Sequence, residues 1–187
     1  MLNSLSYKIS DFFITNGKIA LGKRDVFAYG ISRLFTNAIL LVSFVLIGWL
    51  MRDIKSVFIF LLFFIPLRKY AGGFHFNSNC CCYMASCLEV ILVVIFRYAF
   101  SCLVLCLIFE FIASFIILRL APIQSSNKKL TPNEKRIYKC KVKKIVIIYI
   151  FFSLLCILLK INRVYILIIA SLFVESLLLL ITKTKSL

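Results

Sequence analysis

One histidine and a run of three thiols are the residues of this 187-residue chain whose types and spacing could carry chemistry. They fall in RKYAGGFHFNSNCCC, residues 68–82, with His75 five to seven residues before Cys80, Cys81 and Cys82. An imidazole can take the proton of a thiol, and the thiolate can then attack a carbonyl carbon, so a Cys–His pair is the minimal nucleophile and base. Were residues 75–82 one helix, seven steps would separate His75 from Cys82 by about 10 Å along the axis, too far for proton transfer. Gly72 and Gly73 permit positive φ and a tight chain reversal, so the loop can fold His75 back toward a helix that starts near Asn77 or Ser78, both good N-cap residues. A thiol in the first turn of that helix faces its positive dipole end and unpaired N–H groups, which favour a thiolate.

Helical phase sorts the three thiols. Ser78, Cys82, Ser86 and Glu89 recur at i, i+4, i+8 and i+11, a polar stripe expected to face the interior of a membrane bundle. Cys80 aligns with Tyr83, Met84 and Cys87, and Cys81 with Met84, Ala85 and Leu88. Phase alone favours Cys82 as nucleophile and leaves Cys80 and Cys81 as alternatives. Glu89 lies about 10 Å along the helix from Cys82, and Asn77 or Asn79 could orient His75 only in a suitably folded loop, so a dyad rather than a triad is expected.

The elements that must position these residues are membrane helices. Hydrophobic residues make up 63% of the chain and charged ones 16%, with a mean hydropathy of +1.03, against about 45–50% apolar residues in a soluble domain. A soluble globular domain is excluded. Lys and Arg outnumber Asp and Glu 23 to 7, which excludes an acidic disordered tail, and so few charges do not make the exposed basic surface of a nucleic-acid-binding domain. The expected fold is all-α, a polytopic integral membrane protein with about six transmembrane helices preceded by two amphipathic interfacial helices, forming one domain over residues 1–187.

Within it, residues 1–33 hold the interfacial segments. Leu2, Leu5, Ile9, Phe12 and Phe13 share a helical face, and a second segment after Gly17 carries Lys18, Lys23, Arg24 and Asp25. Four spans follow in residues 34–118, at 34–51, 54–67, 80–96 and 98–118, and two more in 145–187, at 145–159 and 164–182. The span at 54–67 would reach only about 21 Å against a hydrocarbon core of about 30 Å, so a re-entrant hairpin is the alternative there. Lys55 and either Arg68 or Lys69 can snorkel from its ends and favour a crossing. With both termini cytoplasmic, 18 of the 23 basic residues fall on the inner side, as the positive-inside rule requires. The sizeable polar loops, 68–79 and 119–144, then face the cytoplasm. The N-terminus lacks the continuous apolar core of a removable signal peptide. Four of the eight cysteines lie in apolar stretches and three are consecutive, which is not a disulfide framework.

Arg68, the pair Gly72 and Gly73, His75 and, seven residues on, Cys82, set between apolar spans of a basic protein of this size, resemble the AgrB family of accessory gene regulator membrane endopeptidases. The resemblance extends to the amphipathic start, the six-span layout and the basic central loop. It implies that His75 and Cys82 are the catalytic pair and that Arg68 and Gly73 are functionally important; the turn and the polar stripe add Gly72, Ser78, Ser86 and Glu89 as expected supporting residues. It further implies a small AgrD-like precursor peptide as substrate, loss of its C-terminal part through a thioester acyl-enzyme, and conversion of the remainder to a cyclic thiolactone or lactone for quorum sensing. A homodimer in the bacterial cell membrane follows from the same resemblance. No cofactor, metal or nucleic acid is expected.

Other readings carry different expectations. A metal site of His75 with Cys80, Cys81 and Cys82 is disfavoured because adjacent cysteines cannot readily aim three sulfurs at one tetrahedral centre. A non-enzymatic peptide or small-molecule exporter would use Glu89, Glu110 and Glu175, near the middle of three spans; the plainer reading is that these carboxyls hydrogen-bond between helices. The basic run 128–144 reads first as an anchor for anionic lipids, and otherwise as a dock for an acidic precursor segment.

Overall fold

The structure, a computed structural model, describes residues 2–17, 20–74, 78–99, 102–124 and 131–185. His75, Asn77, Lys18, Lys128 and Lys129 lie outside the described residues. Among those described, the regular structure is helical: α1 (Leu2–Thr15), a 3₁₀ turn (Leu21–Lys23), α2 (Arg24–Leu50), α3 (Ile54–Ala71), α4 (Asn79–Ala99), α5 (Leu103–Leu120), α6 (Pro132–Leu158) and α7 (Asn162–Lys185). The all-α, polytopic membrane expectation holds.

Four helices are long and apolar enough to cross a bilayer: Arg24–Leu50, Cys80–Tyr98, Leu103–Leu120 and Asn162–Thr184. This is fewer than the six spans expected. α3 and α6 fall short for reasons visible in their residues. α3 has 18 residues, with Lys55 at its start and Arg68 and Lys69 in its last turn. In α6 the first half carries Glu134, Lys135, Arg136, Lys139, Lys141, Lys143 and Lys144, which leaves only a short apolar second half.

Two segment boundaries also differ from expectation. The second interfacial segment is not a separate helix but runs into α2, which continues unbroken from Arg24 to Leu50. Residues 132–144, expected as loop, form the basic half of α6. The sequence Thr-Pro-Asn-Glu at 131–134 is a capping box in which the Thr131 hydroxyl accepts from Glu134 N–H while the Glu134 carboxylate accepts from Thr131 N–H, with Pro132 opening the helix. Such a start satisfies two orphan helix donors and nucleates α6 well ahead of its apolar half.

The chain divides into two compact units, residues 1–46 and 47–187. In the first, Asp11 of α1 accepts two bonds from the Arg24 guanidinium at 2.6 and 2.7 Å, Ser10 Oγ donates to the Arg24 carbonyl, and the rings of Phe13 and Phe27 meet edge to face. Leu5 and Phe12 remain exposed, as an interfacial helix requires.

The second unit is organised around α7, which touches α3, α4, α5 and α6. Ile168, Ile169, Leu172 and Leu179 of α7 are fully buried in one cluster with Leu67 and Ala71 of α3, Ile117 of α5 and Val146 of α6. Met84, Leu88, Leu92 and Ile95 of α4, and Phe111 and Phe115 of α5, point outward, which is the surface a lipid-facing bundle presents. Because lipid is as apolar as these side chains, close packing and interhelical hydrogen bonds hold such a bundle rather than water exclusion. Two bonds of that kind are the Tyr149 hydroxyl donating to the Phe63 carbonyl and the Ser153 hydroxyl donating to Glu110.

Candidate functional site

The 68–82 segment joins α3 to α4 within the second unit. Arg68 sits in the last turn of α3, where Gly72 N–H caps the helix by bonding the Arg68 carbonyl at 3.2 Å. Gly72 and Gly73 have φ of +79° and +127°, the region in which a Cβ is strained. Space forbids a side chain as well: a Cβ on Gly72 would meet the Ile123 carbonyl oxygen, and one on Gly73 would meet Arg68 Nη1. The segment after α5 fastens to the same turn through Ile123 N–H donating to the Ala71 carbonyl at 2.9 Å.

The guanidinium of Arg68 folds back over this turn. Nη1 donates to the Gly72 carbonyl at 2.9 Å and Nη2 donates to the Phe74 carbonyl at 2.5 Å. Nη1 also lies 3.7 Å from Glu175 Oε2 of α7, and the Arg68 side chain is only 19% exposed. Glu89 of α4 is within electrostatic reach of both Arg68 and Glu175. Arg68 thus grips the chain up to the residue that precedes His75 in sequence.

The thiols follow at the start of α4. Ser78 takes the N-cap position, since its carbonyl accepts the first helical bond, from Cys82 N–H at 3.1 Å. α4 therefore begins after Ser78, as the N-cap reading of Ser78 expects. Cys80 and Cys81 are exposed, Cys82 is half-buried, and no cysteine of the chain is in a disulfide. Ser86 and Glu89 are half-buried, and Val90, Val93 and Val94 further along α4 are buried. The stripe Cys82, Ser86, Glu89 is accordingly continuous with the packed face of α4, while Cys80 and Cys81 begin the outward face that carries Met84 and Leu88.

The structure brings Arg68, Gly72, Gly73 and Glu89 into one neighbourhood and sets Ser78 and Cys82 at the adjoining helix start. Among the described residues, no three His, Cys, Asp or Glu side chains converge as a metal site. Sequence reasoning missed two parts of this region. It flagged Glu175 as an intramembrane carboxyl but did not pair it with Arg68, because pairing across α3 and α7 is not encoded in local spacing. It also left the basic half of α6 as loop, although this half packs beside the same end of α3: the Tyr70 ring meets Tyr138 edge to face, and Lys141 Nζ stands 4.7 Å from the Tyr70 centroid, a cation–π contact.

A helical, multi-pass membrane protein with a thiol at a helix start, beside a glycine turn clamped by arginine, is the class that fold and site define. Within that class the chain belongs to the Accessory gene regulator B (AgrB) family, whose model matches residues 6–181. It is 28% identical over 171 residues to an AgrB-like protein of Clostridium perfringens strain SM101, covering 87% of this chain and 80% of that one. A second AgrB-like protein, from Clostridium perfringens strain 13, is 27% identical over 150 residues, covering 75% and 70%. No solved structure matches the chain. Membership in the family assigns the protein to the processing of quorum-sensing peptides of the accessory gene regulator type, with a precursor peptide as substrate.

Proposed function

We propose that the protein is a cysteine endopeptidase in which Cys82 is the nucleophile and His75 the base, and that its acyl-enzyme is the source of a cyclic signal peptide. The observation that carries this reading is the position of Cys82: it alone of the three consecutive thiols lies on the inward stripe of α4, in the first turn of the helix that follows, in the chain, the Gly72–Phe74 turn bonded by Arg68. Thiolate attack on a peptide carbonyl forms a thioester and expels the C-terminal fragment, whose amine takes the proton held by His75. A second nucleophile, a thiol or hydroxyl of the precursor itself, then captures the thioester, closes the ring and regenerates the Cys82 thiol. Capture by a thiol exchanges one thioester for another and is nearly balanced in energy, so a site that limits water access preserves the activated carbonyl.

The protein works in this reading as a homodimer in the bacterial cell membrane, with both termini cytoplasmic and α3 and the apolar half of α6 as the fifth and sixth crossings. The excess of basic residues on the inner side supports that topology. Lys141 and its neighbours on α6 lie beside the same end of α3 as Arg68, which suits contact with anionic lipid headgroups or with an acidic stretch of the precursor. The exporter alternative is not favoured, because two of the three carboxyls it would use face groups within the bundle: Glu110 accepts from Ser153, and Glu175 stands 3.7 Å from the Arg68 guanidinium.

The test is cleavage of a synthetic precursor peptide by the protein reconstituted in lipid vesicles. Cys82→Ala and His75→Ala should each lower the rate by at least about 1,000-fold while the variants stay folded, and Cys80→Ala and Cys81→Ala should cut normally. Full activity of Cys82→Ala would overturn the assignment.

A further inference from the structure

Glu175 is a fully buried acid in the middle of α7, and neither of its carboxylate oxygens has a hydrogen-bond donor among the described residues. Among the described residues its one cationic neighbour in ion-pair range is Arg68, at 3.7 Å. An acidic side chain buried in a membrane bundle without direct hydrogen bonds is costly and marks a site with a task. What it faces explains the arrangement. The same Arg68 guanidinium donates to the carbonyls of Gly72 and Phe74. The space between is kept open by glycine: a Cβ on Gly73 would meet Arg68 Nη1 and lie 3.6 Å from Glu175 Oε1.

The guanidinium therefore links one carboxyl group to two carbonyls. Those carbonyls belong to the turn that leads into His75, and Glu175 belongs to α7, the best-buried helix of its unit. We propose that Glu175 is a positioning residue for the peptidase reaction: through Arg68 it anchors to α7 the 72–74 turn, which immediately precedes the base, His75, in the chain. This rests on the assignment of His75 and Cys82 as base and nucleophile. It also gives Arg68 a duty other than gripping an acidic substrate, because both terminal nitrogens already have partners inside the protein. Glu89 of α4 is the other acid in the same field.

The full-length protein in lipid vesicles provides the test, with two readouts. In precursor cleavage, Glu175→Gln should lower kcat about 10- to 100-fold, the cost of a base displaced by about an ångström, with KM changed by less than about 2-fold. Arg68→Gln should do the same. The double variant should be no slower than Arg68→Gln alone, because Glu175 acts only through Arg68. In hydrogen exchange, the amides of residues 72–74 should exchange about tenfold faster in Glu175→Gln, while those in the buried part of α7 keep the wild-type rate. Arg68→Lys, which retains the charge but not the fork of donors, should fail like Arg68→Gln and covers the case in which Glu175→Gln does not fold.

Unchanged kcat in Glu175→Gln, or losses that multiply in the double variant, would overturn the proposal, as would unaltered exchange at 72–74. Failure of the peptidase reading is distinguishable, since wild-type protein would then leave the precursor uncut while the exchange difference at 72–74 would still report whether Glu175 holds the turn.

Discussion

Two ion pairs join helices at opposite ends of α3, and they are built differently. At the N-terminal end, Asp53 of the α2–α3 turn is saturated. It accepts from Arg97 Nη2 at 2.6 Å, from the Ser56 hydroxyl at 2.8 Å, from Ser56 N–H at 3.3 Å and from the Tyr98 hydroxyl at 3.4 Å. The Arg97 guanidinium also stacks 4.0 Å from the Tyr98 centroid. At the C-terminal end, the Glu175 oxygens meet Arg68 only at 3.7 Å, and the arginine gives its hydrogen bonds to loop carbonyls. The first pair closes a structural corner. The second leaves a carboxylate under-satisfied in order to hold a turn, and that turn leads to the residues with chemistry. Arg97 Nε at the first end is also buried without an acceptor among the described residues, but there the carboxylate itself is fully bonded; a carboxyl left without donors calls for an explanation, and the turn held by Arg68 supplies it.

The comparison breaks if the Asp53 end proves to govern activity or the Arg68 end stability. Asp53→Ala removes the α3 N-cap and leaves Arg97 half-buried without its partner, which should destabilise the protein by about 3 kcal/mol. Reversible unfolding in detergent measures this, and the cleavage rate per folded molecule should be unchanged. At the other end, Gly73→Ala demands positive φ of an alanine and drives its Cβ into Arg68. Cleavage should fall about 10- to 100-fold, for a stability loss of about 1–3 kcal/mol. Gly48 supplies the matched control. A Cβ there comes within 3.0 Å of Val57 Cγ2 and 3.1 Å of Ile54 Cα, so Gly48→Ala should cost about 1–2 kcal/mol by overpacking and leave cleavage intact.

The smallest effect is in acid. Burial works to raise the pKa of Asp53, but the Ser56 hydroxyl, the Arg97 charge and the Ser56 amide together outweigh it and hold the carboxyl below its ordinary value of 3.8. A native pKa below the unfolded one means that the stabilisation is full above the ordinary value and is lost as pH falls through the lower native one. The unfolding midpoint of the wild type should therefore drop below about pH 4 more than that of Asp53→Asn.

Much of this organisation is legible in residue order. Period and hydropathy mark α2, α4, α5 and α7, and the glycine pair marks the turn before the thiols. Helical phase sets Cys82 on the side of Ser86 and Glu89, and the burial of Val90, Val93 and Val94 shows that side to be the packed one. What is not legible is of two kinds. The start of α6 hides because its capping box precedes a charged stretch, so the hydrophobic signal begins a full 13 residues after the helix does. The Arg68–Glu175 pair hides because it joins α3 to α7, and no local spacing encodes a contact across more than 100 residues. Arg68 looks like a surface cation at the end of a short helix until the fold shows what lies above it.

The central claim is that Cys82 becomes acylated, and intact-mass spectrometry tests it most directly. The protein in lipid vesicles is incubated with a precursor peptide whose ring-closing Cys or Ser has been replaced by Ala, so that the acyl-enzyme has no internal nucleophile to escape to. The account predicts a stoichiometric mass increase equal to the N-terminal part of the precursor, mapped to Cys82, removed by neutral hydroxylamine as thioesters are, and missing from Cys82→Ala. Release of both precursor fragments with no adduct on Cys82 at any time point would contradict it.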